Sequence, residues 1–259
     1  MPARIPMTAK QREALLALPM TEEEVIAHHS LDENERAAIA RLRSPANQLG
    51  YALQLCCLRF PGRYLRRGEL LPAIMLDHVA EQIDVDADVI ADFAKRGPTR
   101  YEQLASIKRN HGFVDLTHPV RAELKQWLEA EALSCTDGRL LLERLIARMR
   151  ERKIIIPGVS VIERLTASAM HAADAKVASE ILAQLNTEQK AKLNAVLDDK
   201  THAQQSRLSW LREPPIRVGA RGLFELLDKI DYIRRLGIGE LALPDYLKLR
   251  LSQLEREGV

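Results

Sequence analysis

The chain has 259 residues, 46% hydrophobic and 29% charged, which suits one large or two ordinary soluble domains with an apolar core. Its 38 basic and 36 acidic residues leave a net charge of +2, so bulk charge identifies no partner and only the placement of charge is informative. Aromatics are 4%, leaving Leu, Ile, Val and Ala to form a core, and the wealth of Leu, Ala, Glu, Arg and Gln points to helices.

The opening MPARIPMTAK has no apolar signal region, and no run of 18 apolar residues follows, so a secreted or membrane-spanning protein is not expected. A first helix is predicted from Thr8 to before Pro19, and a second from Thr21, with Glu22, Glu23 and Glu24 at the positive end of its dipole. Ser30 is the expected cap of a third helix running to about Leu42. Ser44 followed by Pro45 is a cap with proline at the first helical position, opening a helix to Phe60. That helix is apolar on two faces (Leu49, Leu53, Cys56 and Phe60; Tyr51, Leu55 and Leu58) and is expected at the centre of its domain. Cys56 and Cys57 are adjacent and Cys135 is distant, a pattern of neither disulfides nor zinc; all three are expected to be small buried residues in a reducing cytoplasm.

The loop LRFPGRYLRRG carries Arg59, Arg63, Arg66 and Arg67 with no acid among them. Pro72 opens a helix to about Gln82, and a short helix follows from Asp86 to Ala94. Val79, Ala80, Ile83, Val85, Ile90 and Phe93 fall where a helix-turn-helix packs its two helices, with Asp84 at the turn position usually held by glycine. Asp86, Asp88 and Asp92 would repel phosphates, so this hairpin is expected to serve packing more than DNA contact. The same acids fail as a calcium loop, since Val89 and Lys95 stand where glycine and glutamate are needed.

Gly97-Pro98 breaks the chain, and Thr99 is predicted to start a helix ending near Gly112. At 100° per residue Tyr101, Leu104 and Ile107 should face inward, with Thr99, Gln103, Ser106, Arg109 and Asn110 outward. Such an outward face is either a solvated surface or a base-reading one, with Arg96 and Arg100 available for phosphates. A helix from His118 to Leu133 precedes SCTDG (134–138), the expected boundary between domains at 1–133 and 134–259. Beyond it a helix from Asp137 to Glu151 should lead into KIIIPG, the one strand-like run, followed by helices over about 160–172, 174–185, 187–198, 220–236 and 244–256.

Two further basic clusters lie in this half. Arg148, Arg150, Arg152 and Lys153 precede the IIIPG turn, with Ser160, Arg164 and His171 on one outward face of the next helix. SRLSWLREPPIRVGARG offers Arg207, Arg212, Arg217 and Arg221 beside Trp210. Arginine-rich loops favour phosphate recognition, although each cluster alone could be a solvated face. No P-loop, G-x-S-x-G or H-E-x-x-H occurs; His28-His29 are expected to be surface histidines rather than a metal pair, and Asp198-Asp199 to end a helix, so that a self-contained metal-dependent nuclease, the second alternative, would need carboxylates converging from distant positions.

Five segments in order, SPANQLGYALQLCCLRFPGR (44–63), TRYEQLASIKRNHGF (99–113), ERKIIIPGVSVIERL (151–165), SRLSWLREPP (206–215) and LLDKIDYIRRLGI (226–238), resemble the amino-terminal region of replicative transposases of the Tn-three family. The resemblance implies helical domains that bind the transposon's terminal inverted repeats. It also implies an acidic, metal-holding catalytic part of DDE type beyond this stretch, to which no acid here corresponds. The expectation is therefore an all-α, non-enzymatic, cytoplasmic and nucleoid-associated chain of two multi-helix domains with helix-turn-helix-like elements and little β structure. Its partners would be double-stranded transposon ends, the catalytic portion of the same transposase and a second copy in a full-length homodimer. It would need no cofactor, metal or membrane. A helical scaffold for transposase oligomerisation is the alternative, and exposed contiguous apolar surface would favour it.

Overall fold

The structure is a computed structural model describing residues 5–66, 68–93, 97–198, 206–215, 219–239 and 241–257. It is all-α: α1 (Ala9–Leu15), α2 (Glu22–His29), α3 (Glu33–Ala40), α4 (Pro45–Arg59), α5 (Ala73–Gln82), a 3-10 helix (Ala87–Asp92), α6 (Gly97–His111), α7 (His118–Ser134), α8 (Gly138–Glu151), α9 (Val159–Gln184), α10 (Thr187–Asp198), α11 (Arg207–Arg212), α12 (Ala220–Arg235) and α13 (Asp245–Glu257). No strand forms among the described residues; the IIIPG run contributes an isolated parallel bridge between Val114 and Ile154.

Local chemistry sets most helix starts. Thr8 accepts from the Gln11 amide, and the Gln11 side chain returns to the Thr8 amide. Thr21, Ser44 and Asp137 likewise accept from first-turn amides of α2, α4 and α8, offsetting donors that have no intrahelical acceptor. The cap of α3 is Asp32, paired reciprocally with Glu35, and not Ser30, whose hydroxyl donates 2.7 Å back to the Ile26 carbonyl and ends α2. The two helices expected over 160–185 form one, α9, because the stretch from Ala167 to Ala178 contains neither glycine nor proline to interrupt it.

α4 is the axis of the amino-terminal core. Every residue from Leu49 to Leu58 is buried, and α2, α3, α5, α6 and the 3-10 helix pack around it. Gly50 is required there, since a Cβ would enter the ring of Phe93. The turn after α5 places Asp84 at φ 53°, a left-handed conformation that Asp tolerates better than most residues. The expected second helix of the hairpin is only the six-residue 3-10 segment, and it lies against α4, in keeping with a packing role.

By compactness the chain divides into units Met1–His171 and Ala172–Val259, the division falling within α9. The SCTDG turn lies inside the first unit between α7 and α8, with Cys135 and Thr136 buried.

Candidate nucleic-acid interface

The helix singled out as a base reader, α6, is turned by about a quarter-circle from the expected orientation. Gln103, expected outward, is buried; Tyr101, expected inward, is 75% exposed. The reason is a polar partner in the core. Gln54, within the buried and otherwise largely apolar stretch Leu49–Leu58 of α4, donates 2.9 Å to the Gln103 side chain, which donates 3.1 Å to the Asn47 carbonyl. A buried amide without partners is costly, so this pair fixes the rotation. Ile107 still faces the core, and the outward side carries Tyr101, Glu102, Ala105 and Arg109, with Asn110 also exposed and Ser106 half-buried.

The chain then brings two basic segments together. Lys153, at φ 52° after α8, donates 3.0 Å from Nζ to the His111 carbonyl at the end of α6. The Val114 amide donates 3.0 Å to the Lys153 carbonyl, and the Ile155 amide 2.8 Å to the Val114 carbonyl. Arg109 and Asn110 thus share one end of the unit with Arg152 and Lys153, all four exposed. Lys108 and Arg109 offset the negative end of the α6 dipole. Lys108 also pairs at 2.7 Å with Asp115, whose carboxyl is held low by this bond and by the Tyr64 hydroxyl. Arg152 pairs at 2.9 Å with Glu123, exposed on both sides, a link that solvent and salt weaken.

Other arginines of the sequence clusters serve the fold. Arg63 is buried; its guanidinium grips Glu69 at 2.5 and 2.9 Å and donates 2.9 Å to the Leu16 carbonyl. Arg59 pairs with buried Glu35 and donates 2.9 Å to the Ser30 carbonyl. Arg100 donates to the Leu65 carbonyl, and Arg150 lies 4.5 Å over the Phe60 ring while donating 2.9 Å to the Pro61 carbonyl. Arg63 and Gln103, expected at DNA, are buried, and their polar atoms are engaged inside the protein. Arg66 is exposed. Arg67, Arg96 and Arg217 lie outside the described residues.

Residues 7–169 match the family described as Domain of unknown function (DUF4158). The chain belongs to that family. It is 30% identical over 262 residues to the transposase for transposon Tn21 from Escherichia coli, covering 100% of this chain and 26% of that protein. The transposase for Tn501 from Pseudomonas aeruginosa is 28% identical over 258 residues, with the same coverage. The transposase for Tn1546 from Enterococcus faecium is 26% identical over 254 residues, 97% of this chain and 26% of the relative. The chain therefore spans about a quarter of the length of these relatives, and corresponds to the amino-terminal region of Tn-three-family transposases.

The DUF4158 match takes in Arg109, Asn110, Arg152 and Lys153, and also Ser160 and Arg164, which are exposed on the first turns of α9. Arg164 donates 3.2 Å to the Ser160 carbonyl. Beyond the match, Arg207 lies 5.7 Å over the Trp210 ring and 5.5 Å over Tyr232, and Arg212 is exposed. The three cysteines are buried and free. Burial pushes the Cys56 thiol up, and Cys57 up to about 12. His28 stacks on Phe60 at 4.2 Å, and His29 is buried with Nε2 2.9 Å from the Phe60 carbonyl. Among the described residues no three His, Cys, Asp or Glu side chains group to hold a metal, and no helix is long and apolar enough to cross a membrane.

Proposed function

We propose that this chain binds double-stranded DNA at its transposon's terminal inverted repeats, as the end-recognition region of a DDE-type replicative transposase acting at the bacterial nucleoid. The carrying observation is the convergence of Arg109 and Asn110 with Arg152 and Lys153 on a chain similar throughout to transposases. Arg109 and Asn110 carry the groups able to form paired hydrogen bonds with guanine and adenine edges. Arg152, Lys153, Arg66 and Arg164 supply phosphate contacts, with Ser160 beside them and Arg207 and Arg212 in the second unit. In this reading strand cleavage belongs to the catalytic portion of the longer protein.

The test is anisotropy binding of the purified chain to its own inverted repeat and to a scrambled duplex at near-physiological salt. The repeat is expected to bind more tightly; equal affinities would overturn sequence recognition. Arg109→Ala should cost roughly 1–3 kcal/mol on the repeat and much less on scrambled DNA. Lys153→Ala should weaken both alike and lower the salt slope by about one. Nicking or joining by the pure chain with magnesium or manganese would overturn the non-catalytic assignment.

A further inference from the structure

His111 closes α6 and joins two environments. Its ring faces the core, with Nδ1 3.5 Å from Oε1 of Glu35. Glu35 is buried on α3, where Oε1 also takes the Arg59 guanidinium of α4 and Oε2 accepts 2.9 Å from the Asp32 amide. A carboxylate held from two sides is a fixed point against which a third polar group can be set. The main chain of His111 serves the other environment. Its carbonyl accepts 3.0 Å from Lys153 Nζ, and Gly112 turns the chain at φ 73° immediately afterwards. The two residues before it are Arg109 and Asn110, both exposed. One residue therefore links a buried carboxylate to the basic end of the unit.

We propose that His111 is a positioning residue for DNA recognition: its contact with Glu35 sets the outward direction of Arg109 and Asn110, and its ring takes up a proton as DNA binds. This role rests on the DNA-binding reading of that end of the unit. Successive helical residues turn by 100°, so Arg109 lies about 160° from His111. The side chain that meets Glu35 thereby aims the one that faces outward. Four charged groups surround the ring: Glu35 of α3, Asp32 at its cap, Arg59 of α4 and Lys153 after α8. In the free chain burial lowers the His111 pKa, with Arg59 and Lys153 adding to the effect and Asp32 opposing it, so the ring is neutral at pH 7. A phosphate engaging Lys153 offsets that cation and brings negative charge near the ring, which favours the charged form. The charged ring then forms an ion pair with Glu35. Linkage is reciprocal: DNA that raises the ring's affinity for a proton is itself bound more tightly as pH falls.

The experiment measures affinity of the intact chain for its own inverted repeat and for a scrambled duplex, from about pH 8 to about pH 6 at fixed salt. The native chain is compared with His111→Asn and His111→Ala. Native affinity for the repeat is expected to rise several-fold on acidification, bounded at about tenfold per pH unit for one proton. His111→Asn keeps an N–H donor near the place of Nδ1 but has no group that titrates. It should retain the native preference for the repeat at pH 8 and gain less as pH falls. His111→Ala should lose preference several-fold at every pH while keeping a helical circular dichroism spectrum. Imidazole NMR titration should show His111 taking up its proton at higher pH in the bound chain than in the free one. Variants that match the native chain in both preference and pH dependence overturn this role and leave end recognition standing. An Asn variant that loses as much preference as the Ala variant overturns the positioning contact. PH dependence unchanged in both variants overturns the proton uptake. A native chain that binds both duplexes alike overturns the DNA-binding reading itself, and this role with it.

Discussion

The two units treat an amphipathic helix in opposite ways. In the first, α4 is enclosed on all sides and its one strongly polar core residue, Gln54, is answered by Gln103 of α6. In the second, α12 gives its polar side to the interior, where Lys229 meets Glu213, Glu225 and Trp210, and leaves Leu223, Leu226, Leu227, Ile230 and Ile233 outside. The difference shows that hydrophobic pattern alone does not orient a helix. A buried charge with several well-placed partners can anchor the polar face, and the apolar face is then left outside. Arginines divide similarly: Arg63 is engaged on every side in the core, whereas Arg109 stands on the surface.

The largest expected effect tests that division between arginines. Arg63→Ala leaves Glu69 and the Leu16 carbonyl without their partner, and should cost about 3–5 kcal/mol of stability. Arg109→Ala should change stability by less than about 0.5 kcal/mol while altering DNA binding. Urea unfolding of both variants beside the native chain measures this; a small loss for Arg63→Ala would return Arg63 to the DNA-facing set. Next is apolar burial itself. Leu53→Ala in α4 should cost about 2–5 kcal/mol, and Leu227→Ala in α12 under about 0.5 kcal/mol. Equal losses would show that α12 is enclosed in solution.

A smaller effect is expected at the tight contact between α4 and the 3-10 helix. Gly50→Ala puts a methyl into the Phe93 ring, overpacking that should cost roughly 1–3 kcal/mol and expose the amides of residues 87–92 to hydrogen exchange first. The smallest effect concerns pH. Burial lowers the pKa of both His29 and His111, so the unfolded chain binds protons more readily than the folded one below about pH 6.5. The stability from keeping these rings neutral is complete above that pH and declines as pH falls beneath it, before the carboxylates titrate near about pH 4. Both histidines belong to the first unit. A variant keeping only Trp127 should therefore show a lower urea midpoint at pH 5.5 than at 7.5, and one keeping only Trp210 should show a smaller change. A larger change in the Trp210 signal would contradict this placing of acid sensitivity.

The sequence by itself determined the helical content, most caps and the central place of α4, because these depend on neighbours within a turn or two. Thr8 with Gln11 and Ser44 with Pro45 hold their own helix starts, and a helix apolar on two faces can only be enclosed. The resemblance to transposases was also legible along the chain. Tertiary structure alone decided which way α6 and α12 turn, which arginines remain on the surface, and that residues 109–110 and 152–153 share one end of a unit. Gln54, polar within an apolar run, was the sequence's one sign that α6 would present an amide to the core. The physical reason is common to all these cases. A polar side chain takes the orientation in which its hydrogen bonds are met, and partners such as Gln54 for Gln103, Glu69 for Arg63, or the Glu213 carbonyl for Lys229 exist only once distant segments have packed.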